Sequence, residues 1–178
     1  MRIISGTHKG RRLEAPSWPG LRPTSDKLRE TLFNVLVTVI PGANVLDGFA
    51  GTGAVGIEAL SRGAAHVTFI DTDRRAVALI QRNLERCRIA SGYGIIRADL
   101  SGTVVPPAQA PFDFVFLDPP YQLDPAHAMQ AVDGWLTADG WLVVEHARRQ
   151  GIPDRIGGLA RVRELVSGDS ALSFFRHS

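Results

Sequence analysis

Cysteine is nearly missing from this chain of 178 residues: Cys87 stands alone, so no internal disulfide can form, and a reducing compartment suits it. One cysteine among scattered histidines makes a four-ligand zinc site implausible, and no metal is expected. Long apolar runs are also absent. No stretch approaches the roughly 18 continuous apolar residues of a membrane span, and the opening MRIISGTHKG has no apolar segment of a secretory signal. A cytoplasmic protein without a membrane partner is therefore expected. Lysine is scarce beside arginine, with only Lys9 and Lys27, a bias of composition and not of function. There is no internal repeat and no low-complexity tract. The remainder is ordinary for a globular chain with a single core: 44% hydrophobic and 21% charged residues.

The formal net charge of +2 conceals a segregation, because residues 1–30 hold seven cations (Arg2, Lys9, Arg11, Arg12, Arg22, Lys27, Arg29) against three acids. A basic arm on a mildly acidic body suits a polyanion, and nucleic acid before membrane, since no amphipathic apolar face accompanies it. The domain reading is a basic N-terminal arm or hairpin over 1–24, an appendage unable to fold alone, followed by one domain over 25–178. Weak alternation around a turn from Ser5 to Gly10 predicts the hairpin.

From Ser25 the pattern becomes helical through Val39, with Thr24 or Ser25 as N-cap and Pro41–Gly42 as the stop. Strands are expected at Val45–Leu46, His66–Ile70, Tyr93–Arg97, Phe112–Leu117 and Gly140–Glu145. Helices are expected at 54–62, 73–89 and 126–136, and a closing hairpin at 161–166 with 172–175. Strands alternating with helices predict a doubly wound α/β sheet.

Two stretches carry chemistry. In NVLDGFAGTGAVGIEALSRG, Gly51, Gly53 and Gly56 fit G-x-G-x-x-G, whose glycines let a ligand approach backbone at a helix N-terminus. Asp71 closes the next strand about 20 residues on, where a carboxylate can accept bonds from ribose hydroxyls. In FDFVFLDPPY a buried strand ends in Asp118, and Pro119 and Pro120 have no N–H to give. A carboxylate, an unpaired carbonyl and the Tyr121 ring at a strand end can hold a planar molecule by its amino edge. Asp47, Asp71, Asp99 and Asp118 all fall at carboxyl ends of strands, where open α/β sheets bind ligands. Asp47 and the Gly51–Gly53 backbone would frame a nucleoside ligand's tail, Asp71 its ribose, and Asp99 with the Ala98 N–H its adenine edge.

LDGFAGTG and DPPY resemble motif I and the amino-methyltransferase motif of the class I AdoMet-dependent methyltransferases. MRIISGTHKGRRL, RPTSDKLRETLFNVL, FAGTGAVGIEALSRGA and LDPPY, in this order, resemble the RsmD family over nearly the whole chain. The resemblance implies a Rossmann-like fold with a seven-stranded, mostly parallel sheet, helices on both faces, and a last hairpin supplying an antiparallel strand. It implies methylation of N2 of a guanine in 16S rRNA, with S-adenosyl-L-methionine (AdoMet) as cofactor; naked rRNA and the assembling or assembled 30S subunit both stay open as substrate, and a small single domain acting on a large RNA is expected to work as a monomer. Its cofactor site would comprise Asp47, Phe49, Gly51, Gly53, Asp71, Ala98 and Asp99. Asp118, Pro119 and Tyr121 would be catalytic, and Lys9, Arg11, Arg12, Arg22 and Arg29 would hold rRNA. Asp71 stands where relatives often carry glutamate.

DPPY does not distinguish guanine N2 from adenine N6 or cytosine N4, so a DNA amino-methyltransferase stays open. So do a non-catalytic RNA-binding module on the same fold and an NAD-dependent oxidoreductase, although DPPY and the arm have no part in the last. Cytosine C5 chemistry is disfavoured, because Cys87 falls on an expected helix and not in the loop after the fourth strand.

Overall fold

The computed structural model describes residues 1–20, 24–102 and 106–178; Arg22, a candidate RNA contact, lies outside the described residues. One sheet organises the chain. Its strands are β1 (Asn44–Gly48), β2 (His66–Asp71), β3 (Tyr93–Arg97), β4 (Phe112–Leu117), β5 (Leu136–Ala147), β6 (Arg155–Ile156), β7 (Leu159–Ser167) and β8 (Ser170–His177). Their spatial order is β3-β2-β1-β4-β5-β8-β7-β6. The first five are parallel neighbours, and β8, β7 and β6 extend the edge antiparallel. The sheet thus has the expected Rossmann-like methyltransferase layout with one strand more than the seven expected. The addition, β6, has two residues, too few to show a period in the sequence.

Among the described residues four helices flank the sheet: α1 (Asp26–Val35), α2 (Ala54–Ser61), α3 (Arg74–Arg86) and α4 (Pro125–Asp133). Alternation along buried strands divides the core. Val45, Phe69, Phe114 and Phe116 pack towards α1, α2 and α3, whereas Leu46, Ile70, Val115 and Leu117 pack towards α4. Each fully buried Phe or Leu contributes about 1.5–3 kcal/mol. Helix starts follow the expected chemistry. The Ser25 hydroxyl accepts the Leu28 N–H at 3.2 Å, and Asp73 and Asp124 accept from Arg75 and Ala126, each cap contributing about 1 kcal/mol.

Two boundaries differ from expectation. Helix α1 ends at Val35, and Leu36 to Ile40 continue as turns that still bury Leu36 and Ile40, so helical apolar spacing persisted beyond the helix. Strand β5 starts at Leu136, where the sequence reads as helix, because Leu136 pairs with Phe112 across a register irregularity.

The basic N-terminal segment is a small hairpin, closed by an Arg2–Arg12 bridge and the Ile3–Arg11 and Gly10–Ile3 backbone bonds. It is docked on the helices throughout. Ile3 and Leu13 enter the core, and buried Glu58 of α2 accepts the N–H groups of Ile4 (2.8 Å) and Ser5 (3.0 Å) together with Nε of Arg62 (2.7 Å). Ser61 bonds Ser5, Thr7 and His8, and Asn83 of α3 clasps Glu14 through both its amide atoms. Gly6 is required: at φ 85° its missing Cβ would lie 1.8 Å from the Ser61 carbonyl oxygen.

Candidate active site

Strands β1 and β4 are neighbours in register, with Asp47 opposite Phe116 and Gly48 opposite Leu117, so their exits converge at one level. This is the switch point of the sheet, where β2 and β3 lie to one side and β5 to the other. A cavity of about 700 Å³ opens there, within the usual range of ligand pockets of about 300–1,000 Å³. Its walls include Phe49, Asp71 and Thr72 from the first two strand exits, Asp118 to Gln122 from the DPPY loop, and Glu145 from the end of β5. Trp18 to Gly20, Ser25 and Leu28 close one side, and the β7–β8 turn, Ser167 to Ser170, closes another. A smaller adjoining recess is lined by Thr24, Asp47, Gly51, Thr52 and again Phe49 and Asp118.

The glycine-rich turn is shaped by its own backbone. Phe49 holds φ 58°, a conformation that costs a non-glycine residue roughly 1–2 kcal/mol, and Gly51 (57°) and Gly53 (76°) follow it in the same region. Gly53 is the N-cap of α2. Gly56 answers to packing: a Cβ there would come within 2.3 Å of the Phe69 ring. Asp71 braces this turn by accepting the Gly51 N–H at 2.8 Å and the Asp73 N–H at 2.9 Å, one on each oxygen.

Carboxylates converge on the cavity floor. Asp47 accepts the Gly56 N–H at 2.8 Å, yet burial, reinforced by Asp71, pushes its pKa up to about 8. Asp118 is raised well above the ordinary carboxylate range, first by burial, then by Glu145 and then by Asp47. Glu145 is itself buried and accepts the Thr24 hydroxyl at 3.0 Å. The Asp118 carboxylate accepts no hydrogen bond from the described residues. Nor does the Pro119 carbonyl, since the loop closes one residue later with Leu123 N–H on the Pro120 oxygen at 2.8 Å. Tyr121 stands beside them, half exposed at 49%. Two open acceptors and an aromatic face in one cavity can grip an amino group on a flat ring, and a floor of carboxylates favours a ligand with positive charge nearby.

The structure brings together Asp47, Phe49, Gly51, Asp71, Asp118, Pro119 and Tyr121 along the cavity and its recess. Ala98 and Asp99 are not among its lining residues. The Ala98 N–H is engaged by the Asp71 carbonyl at 3.2 Å, which corrects the reading of that N–H as a free donor, and Asp99 Oδ1 turns back onto the Ser101 N–H (2.8 Å) and hydroxyl (2.5 Å). Those bonds lower the Asp99 pKa.

Arg29 requires a correction as an RNA contact. It is fully buried, and its guanidinium holds the Arg2 carbonyl at 2.7 Å, Asp26 at 2.8 Å and the Ala54 carbonyl at 3.4 Å, so no phosphate can reach it. Arg11 is half-buried and donates to the Cys87 carbonyl, whereas Lys9 and Arg12 are exposed. Glu145 and Thr24 escaped the sequence reading as site residues. For Glu145 a signal existed: it ends the buried run WLVVE as Asp118 ends FVFL. Trp18 lies under the Arg75 guanidinium at 5.0 Å, and Arg75 in turn chelates Asp73.

A family model described as conserved hypothetical protein 95 matches residues 1–176. The chain belongs to that family. It is 37% identical over 179 residues to ribosomal RNA small subunit methyltransferase D of Escherichia coli K12, covering 99% of this chain and 89% of that protein. It is 43% identical over 123 residues to the protein of the same name from Haemophilus influenzae, covering 68% and 64%. These relatives bear out the RsmD resemblance. A solved Escherichia coli chain, yhhF, provisionally named a methyltransferase, superposes with a TM-score of 0.83 at 35% identity, covering 100% of this chain and 98% of that one.

Proposed function

We propose that this protein transfers the methyl group of AdoMet to the exocyclic N2 of a guanine in small-subunit rRNA. The observation that carries this reading is the pair of open acceptors, the Asp118 carboxylate and the Pro119 carbonyl, beside the Tyr121 face. Support for the rRNA target comes from relatives named as small-subunit rRNA methyltransferases over most of the chain.

The cavity suits AdoMet: the Asp71 carboxylate is available at the end of β2, Gly51 and Gly53 leave the turn without side chains, and the carboxylate floor matches a sulfonium. Asp71 would accept bonds from the ribose, Asp47 and Phe49 would frame the cofactor's tail, and Asp99, with the segment at Ala98, would lie towards its adenine. AdoMet, when bound, supplies an activated methyl group.

The residues of the chain do the rest. The lone pair of a guanine amino group is delocalised into its ring and is a poor nucleophile. Asp118 and Pro119 accept its two N–H bonds, which localises the lone pair and aims it, while Tyr121 stacks on the base and fixes its plane. A nearby sulfonium charge draws the Asp118 pKa downwards, so Asp118 would be ionised when the cofactor is present and free to accept. The segment 1–24 would form the RNA-binding appendage through the exposed Lys9 and Arg12 and the half-buried Arg11, with Arg22 a candidate from its place in the sequence alone. No helix among the described residues is long and apolar enough to cross a membrane, and no cluster among them could hold a metal. We take the enzyme to act as a monomer in the bacterial cytoplasm, on rRNA or the forming subunit.

The test is methyl transfer from labelled AdoMet to unmodified small ribosomal subunits, naked rRNA and DNA in parallel, followed by nucleoside mass analysis. N2-methylguanosine in rRNA or subunits is expected. Label confined to adenine or cytosine of DNA would overturn the substrate, and absence of label with intact AdoMet binding would overturn the activity.

A further inference from the structure

The cavity floor and its rim differ in chemistry. Asp47, Asp118 and Glu145 line the floor with carboxyl groups and no cation, a poor seat for phosphate, so a nucleotide that inserts its base must leave its phosphates outside, at the mouth. The loop after β5 stands at that mouth. The Arg148 N–H bonds the Asp169 carbonyl at 2.7 Å, tying the loop to the β7–β8 turn, and the Gln150 side-chain amide bonds the Leu123 carbonyl at 3.4 Å, tying it to the segment after DPPY. Both tethers lead to walls of the cavity.

Between those tethers lie the exposed side chains of Arg148 and Arg149. Arg62, Arg75 and Arg161 spend their guanidinium groups on carboxylates. Neither Arg148 nor Arg149 forms an ion pair or side-chain hydrogen bond among the described residues. Two uncommitted guanidinium groups on a loop braced at both ends match the planar, multidentate recognition of phosphate oxygens.

The basic hairpin is placed differently. Helix α3 is capped by Asp73, on the cavity wall, and runs 13 residues to the end where Arg11 meets the Cys87 carbonyl. At 1.5 Å per residue this puts Arg11 about 20 Å from that wall, and Lys9 lies with it at the hairpin's turn.

We propose that Arg148 and Arg149 are the phosphate-binding rim that seats the RNA strand at the target nucleotide, while Lys9 and Arg11 at the hairpin's turn meet RNA farther away. This rests on the reading of the cavity as a base-methylating site.

The test uses the full chain, with unmethylated small-subunit rRNA and small subunits as probes. The double substitution Arg148→Gln and Arg149→Gln should raise KM for RNA about tenfold, leave kcat within about twofold and AdoMet affinity unchanged, and reduce the slope of log affinity against log salt by about 1.4, two single-strand phosphate contacts. In parallel, a photo-crosslinking phenylalanine derivative replacing Arg149 should attach to nucleotides adjoining the methylated guanine, and one replacing Lys9 to more distant nucleotides. An unchanged KM and salt slope in the double variant, beside a wild-type enzyme that methylates rRNA, would overturn the rim and leave the methyltransferase reading intact. Crosslinks from position 149 only to distant nucleotides would do the same. A wild-type enzyme that transfers no methyl group to rRNA or subunits would overturn both.

Discussion

Glu58 and Asp118 are both carboxylates in largely buried surroundings, and they are treated in opposite ways. Glu58 sits on α2 with three donors, two from the hairpin backbone and one from Arg62. Asp118 stands at the end of β4 with no donor among the described residues and with Glu145 and Asp47 as like-charged neighbours. A buried carboxylate that is fully satisfied joins elements together; one left open and crowded by like charge holds reactive capacity, at a cost to the fold. The contrast separates two roles, fastening the hairpin and opening the cavity.

The largest expected effect tests the open member. Asp118→Ala should retain AdoMet binding, measured by calorimetry, and lose roughly a thousandfold or more in single-turnover methyl transfer; a wild-type rate would remove Asp118 from the chemistry. Next comes the satisfied member. Glu58→Ala leaves two backbone N–H groups and the Arg62 guanidinium without their partner, and should cost about 3–5 kcal/mol in urea unfolding. A loss below about 1 kcal/mol would mean that the hairpin is not fastened there.

Asp71→Ala should weaken AdoMet about thirtyfold or more through the lost ribose acceptor, with a smaller loss of stability from the freed Gly51 and Asp73 N–H groups. Unaltered affinity would confine Asp71 to bracing the turn.

A smaller effect is expected with pH. The folded pKa of Asp47, near 8, lies above its ordinary 3.8, so the folded chain binds this proton more tightly than the unfolded chain does across that window. Its contribution is therefore fully present below the unfolded pKa and is lost as pH rises through about 8. Raising pH from 5 to 8 without cofactor should lower Tm by roughly 10 °C, and Asp47→Asn should make the profile shallower. An equal slope in the variant would assign the dependence elsewhere. Smallest of all, Lys9→Gln with Arg12→Gln should flatten the salt dependence of RNA binding by about 0.7 for each phosphate no longer neutralised; no change would exclude the hairpin from the RNA.

The exposed or dangling parts were the ones misjudged from sequence. Arg29 reads as one more cation of a basic arm, and nothing in its neighbours along the chain reveals that α2 and Arg2 enclose it. Ala98 reads as a free N–H at a strand end, but the Asp71 carbonyl on the adjacent strand takes that bond. Phe49, by contrast, is named only through a family motif, and its left-handed backbone, φ 58°, has no signal in the sequence because the residue is not a glycine.

What the sequence determined by itself was the order of elements, the strand-end position of each aspartate, and the glycines of the first turn. These depend on local periodicity and on backbone freedom, which neighbouring residues set. Which strands lie side by side, and therefore which strand ends meet, was decided by the tertiary structure. Glu145 lies beside Asp118 because β5 pairs with β4, and Arg11 lies far from the cavity because the length of α3 separates them. Both follow from contacts between residues distant along the chain, whose geometry is fixed only when the two faces of the sheet bury their apolar side chains together.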